Sequence, residues 1–583
     1  MNLPSVRSLL KRAGVLAAES NDAARDGRAR QRRLILDALL LGVVGAVGAQ
    51  LFLLALRWST RLFLVDVAGY QPPGLPSEGG ALREVIGFHG LWLIPVVTTL
   101  GGLVVGLLIE GYAPEAEGHG TDAVVRAFHR ADGVIRPRVP PIKLVASAIT
   151  IGSGGSAGRE GPIALVAAGV GSWYATITGR EGRDRRLLML TGMAAGLSAM
   201  FRSPIGTALM AIEVLYADME FEAGALLYAL LASIVAYALN GFVDGWEPLF
   251  RLPGPIGRLP SALDYGWYVA LGVLAGVTAT LVPLVFYRVR DLFRATGIPP
   301  VLRPAAGGLA VGLLALVVPE VLGGGYGWVQ LAIDGRLALG TMLLLVAAKW
   351  VATSLSVGSG GSGGVFAPSL YVGAMLGGAW ASVVHAPPAP FIIVGMAAVF
   401  AGAAHVPIAT LMMVTEMTGG YTLLVPAAMA VIISYLVQRR LSERLRYRSL
   451  YEAQVASRAD SPAHHSHHLE IAMRILREHQ PQDLTSIGEI DLVALLRSGI
   501  PVELAGDRRL VVGVLRPDSP YVGTTVATSG RQLDGGDANI IAILRGEHMT
   551  VPNASMHLEA GDRLILVTTA AGVERLRRDV APW

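Results

Sequence analysis

A single carboxylate, Glu160, lies in the phrase GSGGSAGREGP (152–162). Nearly the same phrase, GSGGSGGVFAP (358–368), returns 206 residues later with Val365 and Phe366 where Arg159 and Glu160 stood. Glycines let the main chain take unusual angles and approach a ligand, and proline fits the first helical turn, where its missing N–H costs nothing. Each phrase therefore predicts a glycine loop opening into a helix N-terminus. The free N–H donors and the positive dipole end suit such a terminus to an anion. Two of these ends facing each other hold a desolvated anion without a full countercharge, and weakly enough for it to leave. Glu160 is then informative, because a carboxylate at membrane depth costs about 2.5 to 3.5 kcal/mol on insertion scales. Ionised, it can occupy the anion's own position; protonated, it withdraws, which makes it a gate. The plainer alternative is a first-turn acid favoured by the dipole. Arg159 either pairs with a carboxylate or helps attract anions, or else is a solvated vestibule arginine.

The elements that position these residues belong to a membrane. Of 583 residues, 52% are hydrophobic and only 16% charged, against about 25% charged in ordinary soluble domains. From Leu34 to Arg439, apolar stretches long enough to span or re-enter a bilayer follow one another: Leu34–Leu64, Leu91–Ile109, Ala223–Leu239, Trp267–Tyr287, Ala305–Val318, Leu337–Leu355 and Leu423–Val437. Several shorter ones begin with glycine or proline, and such breaks survive at membrane depth only where protein or water satisfies the freed backbone. Residues 1–33 concentrate Arg7, Lys11, Arg12, Arg25, Arg28, Arg30, Arg32 and Arg33 ahead of the first apolar run, which puts that end in the cytoplasm. Its polarity and the length of the following run speak against a removable targeting peptide. The absence of cysteine excludes disulfides, thiolate metal sites and cysteine nucleophiles.

The repeat goes further than the glycine phrase. SPIGTALMAIEV (203–214) returns as VPIATLMMVTEM (406–417), offset by 203 residues, with Glu213 recurring as Glu416. Two matches at nearly equal offsets argue for an internal duplication, a device that in membrane proteins often joins two inverted halves around a midplane site. The bland alternative is glycine serving helix packing alone. The division expected is a basic N-terminus (1–33), a membrane domain (34–455) with halves near 34–240 and 265–440, a His-containing linker (456–485) and a C-terminal domain (486–583). In the last, the runs RRLVVGVLR, NIIAILR and DRLILVTT, set between turn signals, predict a small soluble α/β or α+β fold.

GREGP (158–162), GVFAP (364–368) and TEMTGGY (415–421), in this order, resemble the signature segments of the CLC family of chloride channels and proton-coupled chloride transporters. The resemblance implies an all-α polytopic membrane protein of about eighteen tilted or re-entrant helices in two inverted halves. It also implies a homodimer in the plasma (inner) membrane with both termini cytoplasmic and an anion pathway in each subunit, contacting chloride, protons and lipid. By this resemblance Glu160 is the gating glutamate. Gly158, Arg159, Gly161, Gly364, Val365, Phe366 and Ala367 border the anion, Phe366 through its backbone N–H. Tyr451, in SLY (449–451), matches the family's central tyrosine, with Tyr447 as the competing register.

Two departures stand out. The family's first anion motif, Gly-Ser-Gly-Ile-Pro, is replaced by GHGTD (118–122), so His119 stands where a serine hydroxyl would coordinate the anion. It either contacts the anion through a ring N–H and adds pH sensitivity, or points away while the backbone does the work. In family exchangers an internal proton-transfer glutamate follows the first glutamate of the segment matching AIEVLY; here that position is Val214, which carries no proton. The simplest inference is a chloride channel gated by Glu160. The alternative is a proton-coupled antiporter with a non-standard proton route through water or through Asp218 or Glu220. Glu213 and Glu416 read as a structural pair.

The C-terminal segment, above all GDRLILVTT (561–569), resembles the C-terminal ligand-binding (TrkA-C) domain of regulators of potassium conductance. Related domains bind small effectors, cyclic dinucleotides among them, between subunits; the other reading is a dimer-stabilising or inert appendage. His464, His465, His467 and His468 either bind a divalent metal or form a solvated linker, the favoured reading. No metal site or resident cofactor is expected, and no nucleic-acid partner. No GxxxxGK[ST] loop is present for an ATP-driven pump, and no facing acids or nucleophiles suggest an enzyme.

Overall fold

The computed structural model describes residues 6–254, 262–458, 461, 463, 502–504, 508–532, 539–545, 548–550, 552–569 and 580–582. The histidines at 464–468 lie outside them. The chain divides into one unit ending at Gln454 and a second beginning at Val455.

Among the described residues the first unit contains two sets of eight α-helices in matching order. The first set is α1 (Val6–Thr60), α2 (Ile94–Tyr112), α3 (Thr121–Arg130), α4 (Val139–Gly152), α5 (Glu160–Ile177), α6 (Gly182–Phe201), α7 (Pro204–Glu213) and α8 (Ala223–Asp244). The second is α9 (Ala262–Ala295), α10 (Arg303–Ala315), α11 (Tyr326–Ile333), α12 (Leu339–Gly358), α13 (Phe366–Val383), α14 (Pro388–Ala404), α15 (Pro407–Thr418) and α16 (Leu424–Ser442). A short hairpin, β1 (Tyr70–Gln71) with β2 (Val85–Ile86), interrupts the first half. Among the described residues six helices are long and apolar enough to cross a membrane, within Ala29–Val67, Ile94–Tyr112, Ala223–Asp244, Tyr265–Ala295, Leu339–Gly358 and Tyr421–Ser442. Six of the seven apolar stretches fall on these. The seventh, Ala305–Val318, coincides with α10, which at 13 residues is too short to span alone. The basic N-terminal segment and the first apolar run share the single helix α1.

Two reciprocal contacts show how the halves meet. The Gly158 N–H donates to the Gly364 carbonyl at 2.7 Å and the Gly364 N–H to the Gly158 carbonyl at 2.6 Å, an antiparallel bridge between the two glycine phrases. Inside each half an equivalent lysine holds the loop before a helix start: the Lys143 ammonium on α4 donates to the carbonyls of Ala116 and Gly118, and Lys349 on α12 donates to those of Val321 and Gly323. Glu213, ending α7, accepts the first amides of α15 (Ile408 at 3.1 Å, Ala409 at 2.6 Å). Glu416 on α15 accepts those of α7 (Ile205 at 3.2 Å, Gly206 at 2.9 Å) and the Ser203 hydroxyl at 2.5 Å. A helix N-terminus leaves its first amides without intrahelical acceptors, so each half satisfies the other's. These are the two acids read from the sequence as a structural pair.

In the second unit the three apolar runs become strands of one antiparallel sheet, which makes the domain α+β. β3 (Val502–Leu504), β4 (Arg508–Leu515), β7 (Arg563–Thr569), β5 (Asn539–Arg545) and β6 (His548–Thr550) lie side by side in that order, and β8 (Val580–Pro582) also pairs with β4. Between β4 and β5 runs α17 (Val526–Gln532). Leu515, Ile540, Ile543, Leu558, Leu564 and Leu566 form its core. At the start of β7 the buried Asp562 accepts two hydrogen bonds from Arg545, at 2.8 Å each, and one from the Glu559 amide. Burial alone raises a carboxyl, yet the Arg545 and Glu559 bonds hold that of Asp562 below its usual range. A depressed folded-state value contributes stability above the unfolded value and loses it as pH falls through the folded one. Amide protection in β7 of the full-length protein, corrected for intrinsic exchange, is therefore expected to drop below about pH 4. In Asp562→Asn it should be lower at neutral pH and show no such acid loss.

Candidate functional site

The site grows out of the bridge between the glycine phrases. Because Gly158 and Gly364 pair, the helices that follow begin beside each other, α5 at Glu160 and α13 at Phe366, with Pro162 and Pro368 in their first turns. A third start joins them. α3 begins at Thr121 after Gly120, whose φ of +87° suits glycine and where an added Cβ would strike the Gly161 carbonyl. The Lys143 bonds and the Ser147 to Ser362 hydroxyl contact at 2.8 Å fix this loop against the bridge.

Glu160 is 2% exposed. One carboxylate oxygen accepts the Ala367 N–H at 3.4 Å, from the first turn of α13, and the other accepts the hydroxyl of Tyr326. A small cavity of about 10 Å³ lies beside it, lined by Thr121, Glu160, Gly161, Val365, Phe366 and Tyr451 together with three methionines, Leu197 and Phe201. Two larger cavities flank this point. One, of about 580 Å³, is lined by Arg159, Glu78 and Tyr326; the other, of about 850 Å³, by His119, Asp122, Arg126, Arg290 and Glu452. His119 and Tyr451, with ring centres 5.5 Å apart, separate the second from the small cavity.

Five of the residues singled out in the sequence, Glu160, Gly161, Val365, Phe366 and Tyr451, therefore border one cavity, and Ala367 reaches Glu160. The others have different surroundings. The amides of Gly158 and Gly364 are taken up by each other's carbonyls, which leaves these glycines the task of aligning the helix starts. An added Cβ on Gly158 would run into the Glu160 carboxylate. Arg159 turns away from the small cavity. Its buried guanidinium pairs with Glu78 and lies 4.9 Å from the Tyr326 ring centre, which settles the choice between a paired and a solvated arginine. His119 is buried, and its Nδ1 has no hydrogen-bond partner among the described residues. Tyr447, the competing register, stacks on Tyr287 at 4.2 Å and bonds Arg290 and Asp291 instead. Val214 is buried and its carbonyl accepts a bond from Gln454 at 3.0 Å, while Asp218 pairs with Arg439.

Sequence reasoning missed Tyr326, Lys143 and Lys349. The signal was available: GGGY (323–326) repeats GHGT (118–121), so Tyr326 opens α11 as Thr121 opens α3.

Fold and site together define a membrane protein of two duplicated, inverted halves whose helix starts converge on one buried carboxylate. The chain belongs to the voltage gated chloride channel (CLC) family, whose model matches residues 101–439. A second model, the TrkA-C domain, matches residues 511–581. The chain is 31% identical over 421 residues to a putative chloride channel protein ClcB-like of Ralstonia nicotianae, covering 68% of this chain and 92% of that protein. It is 30% identical over 395 residues to the H(+)/Cl(−) exchange transporter ClcA of Salmonella agona, covering 65% and 81%. Among solved structures, a slow cyanobacterial Cl−/H+ antiporter superposes with a TM-score of 0.60 at 23% identity, over 72% of this chain and 95% of that one. A CLC-type fluoride/proton antiporter does so with 0.62 at 22%, over 73% and 98%. These two likenesses establish the shared fold.

Proposed function

We propose that the protein is a chloride channel, with a pathway in each subunit of a homodimer, opened when Glu160 is protonated or displaced. The observation carrying this reading is the buried Glu160 carboxylate between the starts of α5 and α13, with a large cavity to either side. Main-chain amides and dipole ends favour an anion there, and an ionised carboxylate competes for the same place. Gly161, Val365, Phe366, Ala367 and Tyr451 are the proposed anion contacts. His119 is a further one, since it lines the cavity of about 850 Å³ and one of its ring nitrogens has no hydrogen-bond partner among the described residues.

Passive conduction is preferred because the apolar, buried Val214 occupies the position at which exchangers of the family carry their internal proton acid. The second reading, proton-coupled antiport, is favoured by the relative named as an H(+)/Cl(−) exchange transporter. It needs a route that avoids Val214, and Asp218, already paired with Arg439, is a poor start for one. Both termini are assigned to the cytoplasmic side of the inner membrane by the resemblance to the family, with which the basic residues ahead of the first span agree for the N-terminus. The C-terminal domain is assigned a small effector, such as a cyclic dinucleotide.

The test is chloride efflux from liposomes with simultaneous recording of external pH. Under the channel reading, efflux proceeds with proton movement no greater than in protein-free liposomes. Uphill proton uptake driven by a chloride gradient replaces it with the antiport reading.

A further inference from the structure

Glu160 has a second partner besides the α13 amide, and it comes from an element that neither glycine phrase includes. Tyr326 is the first residue of α11, and its hydroxyl donates to the Glu160 carboxylate. Its ring lines the cavity of about 580 Å³, whereas Glu160 lines the small one, so the phenol stands between the carboxylate and that larger space.

The ring is held on several sides. The Arg159 guanidinium lies over it, itself clamped by Glu78, and the Phe250 ring centre is 5.8 Å away. Behind it, Gly325 has a φ of +78°, and an added Cβ there would meet the Tyr371 ring. A hydroxyl fixed in this way does not follow the carboxylate when the latter swings out, so the bond exists in one position of the gate only.

We propose that Tyr326 is the latch of the Glu160 gate: its hydroxyl holds the ionised carboxylate in the blocking position and so sets the pH at which the gate releases. The proposal rests on the reading of Glu160 as a gate. The charged and titratable groups facing Glu160 are Arg159 on its own segment, Glu78 from the turn Pro76–Glu78, Tyr326 from α11 and Tyr451 from the segment after α16; Lys349 of α12 stands behind Gly325. α13 presents main-chain amides and no ionisable group in its first turn. Among these, Tyr326 alone donates a side-chain hydrogen bond to the carboxylate among the described residues. Donation to an ionised carboxylate favours that form over the protonated one. Removing the hydroxyl therefore allows protonation, and release, at higher pH.

The test measures chloride efflux from liposomes against pH for wild type, Tyr326→Phe, Glu160→Gln and the double variant. Phenylalanine keeps the ring and deletes the donor alone. The pH midpoint of Tyr326→Phe is expected to rise by about one unit, the scale of one charge-assisted bond, with no further change when it is added to Glu160→Gln. A profile superimposed on wild type, while Glu160→Gln abolishes the pH response, overturns the latch and leaves the gate standing. An equal effect of Tyr326→Phe in both backgrounds also overturns it, because the residue then acts without the carboxylate. A wild-type pH response in Glu160→Gln removes the gate and the latch together. Infrared difference spectra of the wild-type protein on acidification give a reading independent of how Tyr326→Phe folds. A tyrosine C–O band should move with the Glu160 carboxyl band and be absent in Glu160→Gln; a tyrosine band that stays still overturns the proposal.

Discussion

Replacing Glu160 by alanine is expected to raise chloride efflux from liposomes at neutral pH by about tenfold or more, the equivalent of roughly 1.4 kcal/mol in gate opening, and to flatten its pH dependence. The carboxylate is buried where the first amide of α13 that reaches into the site, that of Ala367, is donated to it. Any anion taking that place must first displace it. Alanine leaves the amide and both dipole ends in position and removes the competitor, so the attraction remains while the obstruction goes. The same variant separates the two transport modes. A channel gains throughput with no change in proton movement, because it had none to lose. An antiporter loses its coupled proton flux when Glu160 is removed. Unchanged efflux with an unchanged pH profile would falsify the gate assignment and leave Glu160 as a first-turn acid.

How much of this was legible in the sequence depended on how local each signal is. The glycine phrases declare their helix starts within a few residues, because φ, proline and the first-turn amides are properties of adjacent positions, and α5 and α13 begin where the phrases predict. The duplication was visible wherever both copies kept their residue types, as in SPIGTALM and VPIATLMM. It was hidden where one copy changed chemistry. GHGT and GGGY share only two glycines, so Tyr326 escaped notice although it occupies the place equivalent to Thr121. The Arg159 to Glu78 pair joins residues 81 positions apart, and no pattern near either names the other. That Gly158 and Gly364 spend their amides on each other is likewise a fact of assembly, since each phrase alone looks equally ready to bind a ligand. Strand alternation made the C-terminal sheet readable, but the order that sets β7 between β4 and β5 is a long-range choice.

The repeat also determines which helix ends stay available to an ion. Four helix starts carry the duplicated proline phrases. At α7 and α15 the amides are capped by Glu416 and Glu213, each reaching across from the opposite half. At α5 and α13 the carboxylate that meets the first-turn amides among the described residues is Glu160, attached to the chain at one of those starts and held there by Tyr326 and Ala367. The first pair of ends is thereby closed and the second kept for traffic. Glu416→Ala strands the buried Gly206 amide and Ser203 hydroxyl and the part-buried Ile205 amide, and stranded buried donors cost about 1 to 3 kcal/mol each. A loss of roughly 3 kcal/mol or more is expected, read as a fall of several degrees in the temperature at which the detergent-solubilised protein unfolds. Glu213→Ala strands two amides and should cost somewhat less. Each glutamine variant should recover part of the loss, since its carbonyl still accepts. Neither carboxylate bonds a residue that lines the small cavity beside Glu160, so the pH midpoint of chloride efflux should stay at the wild-type value in whatever protein remains folded. A shifted midpoint would mean that the capped ends communicate with the gate, and that the two pairs of helix starts are not divided between structure and passage as their carboxylates indicate.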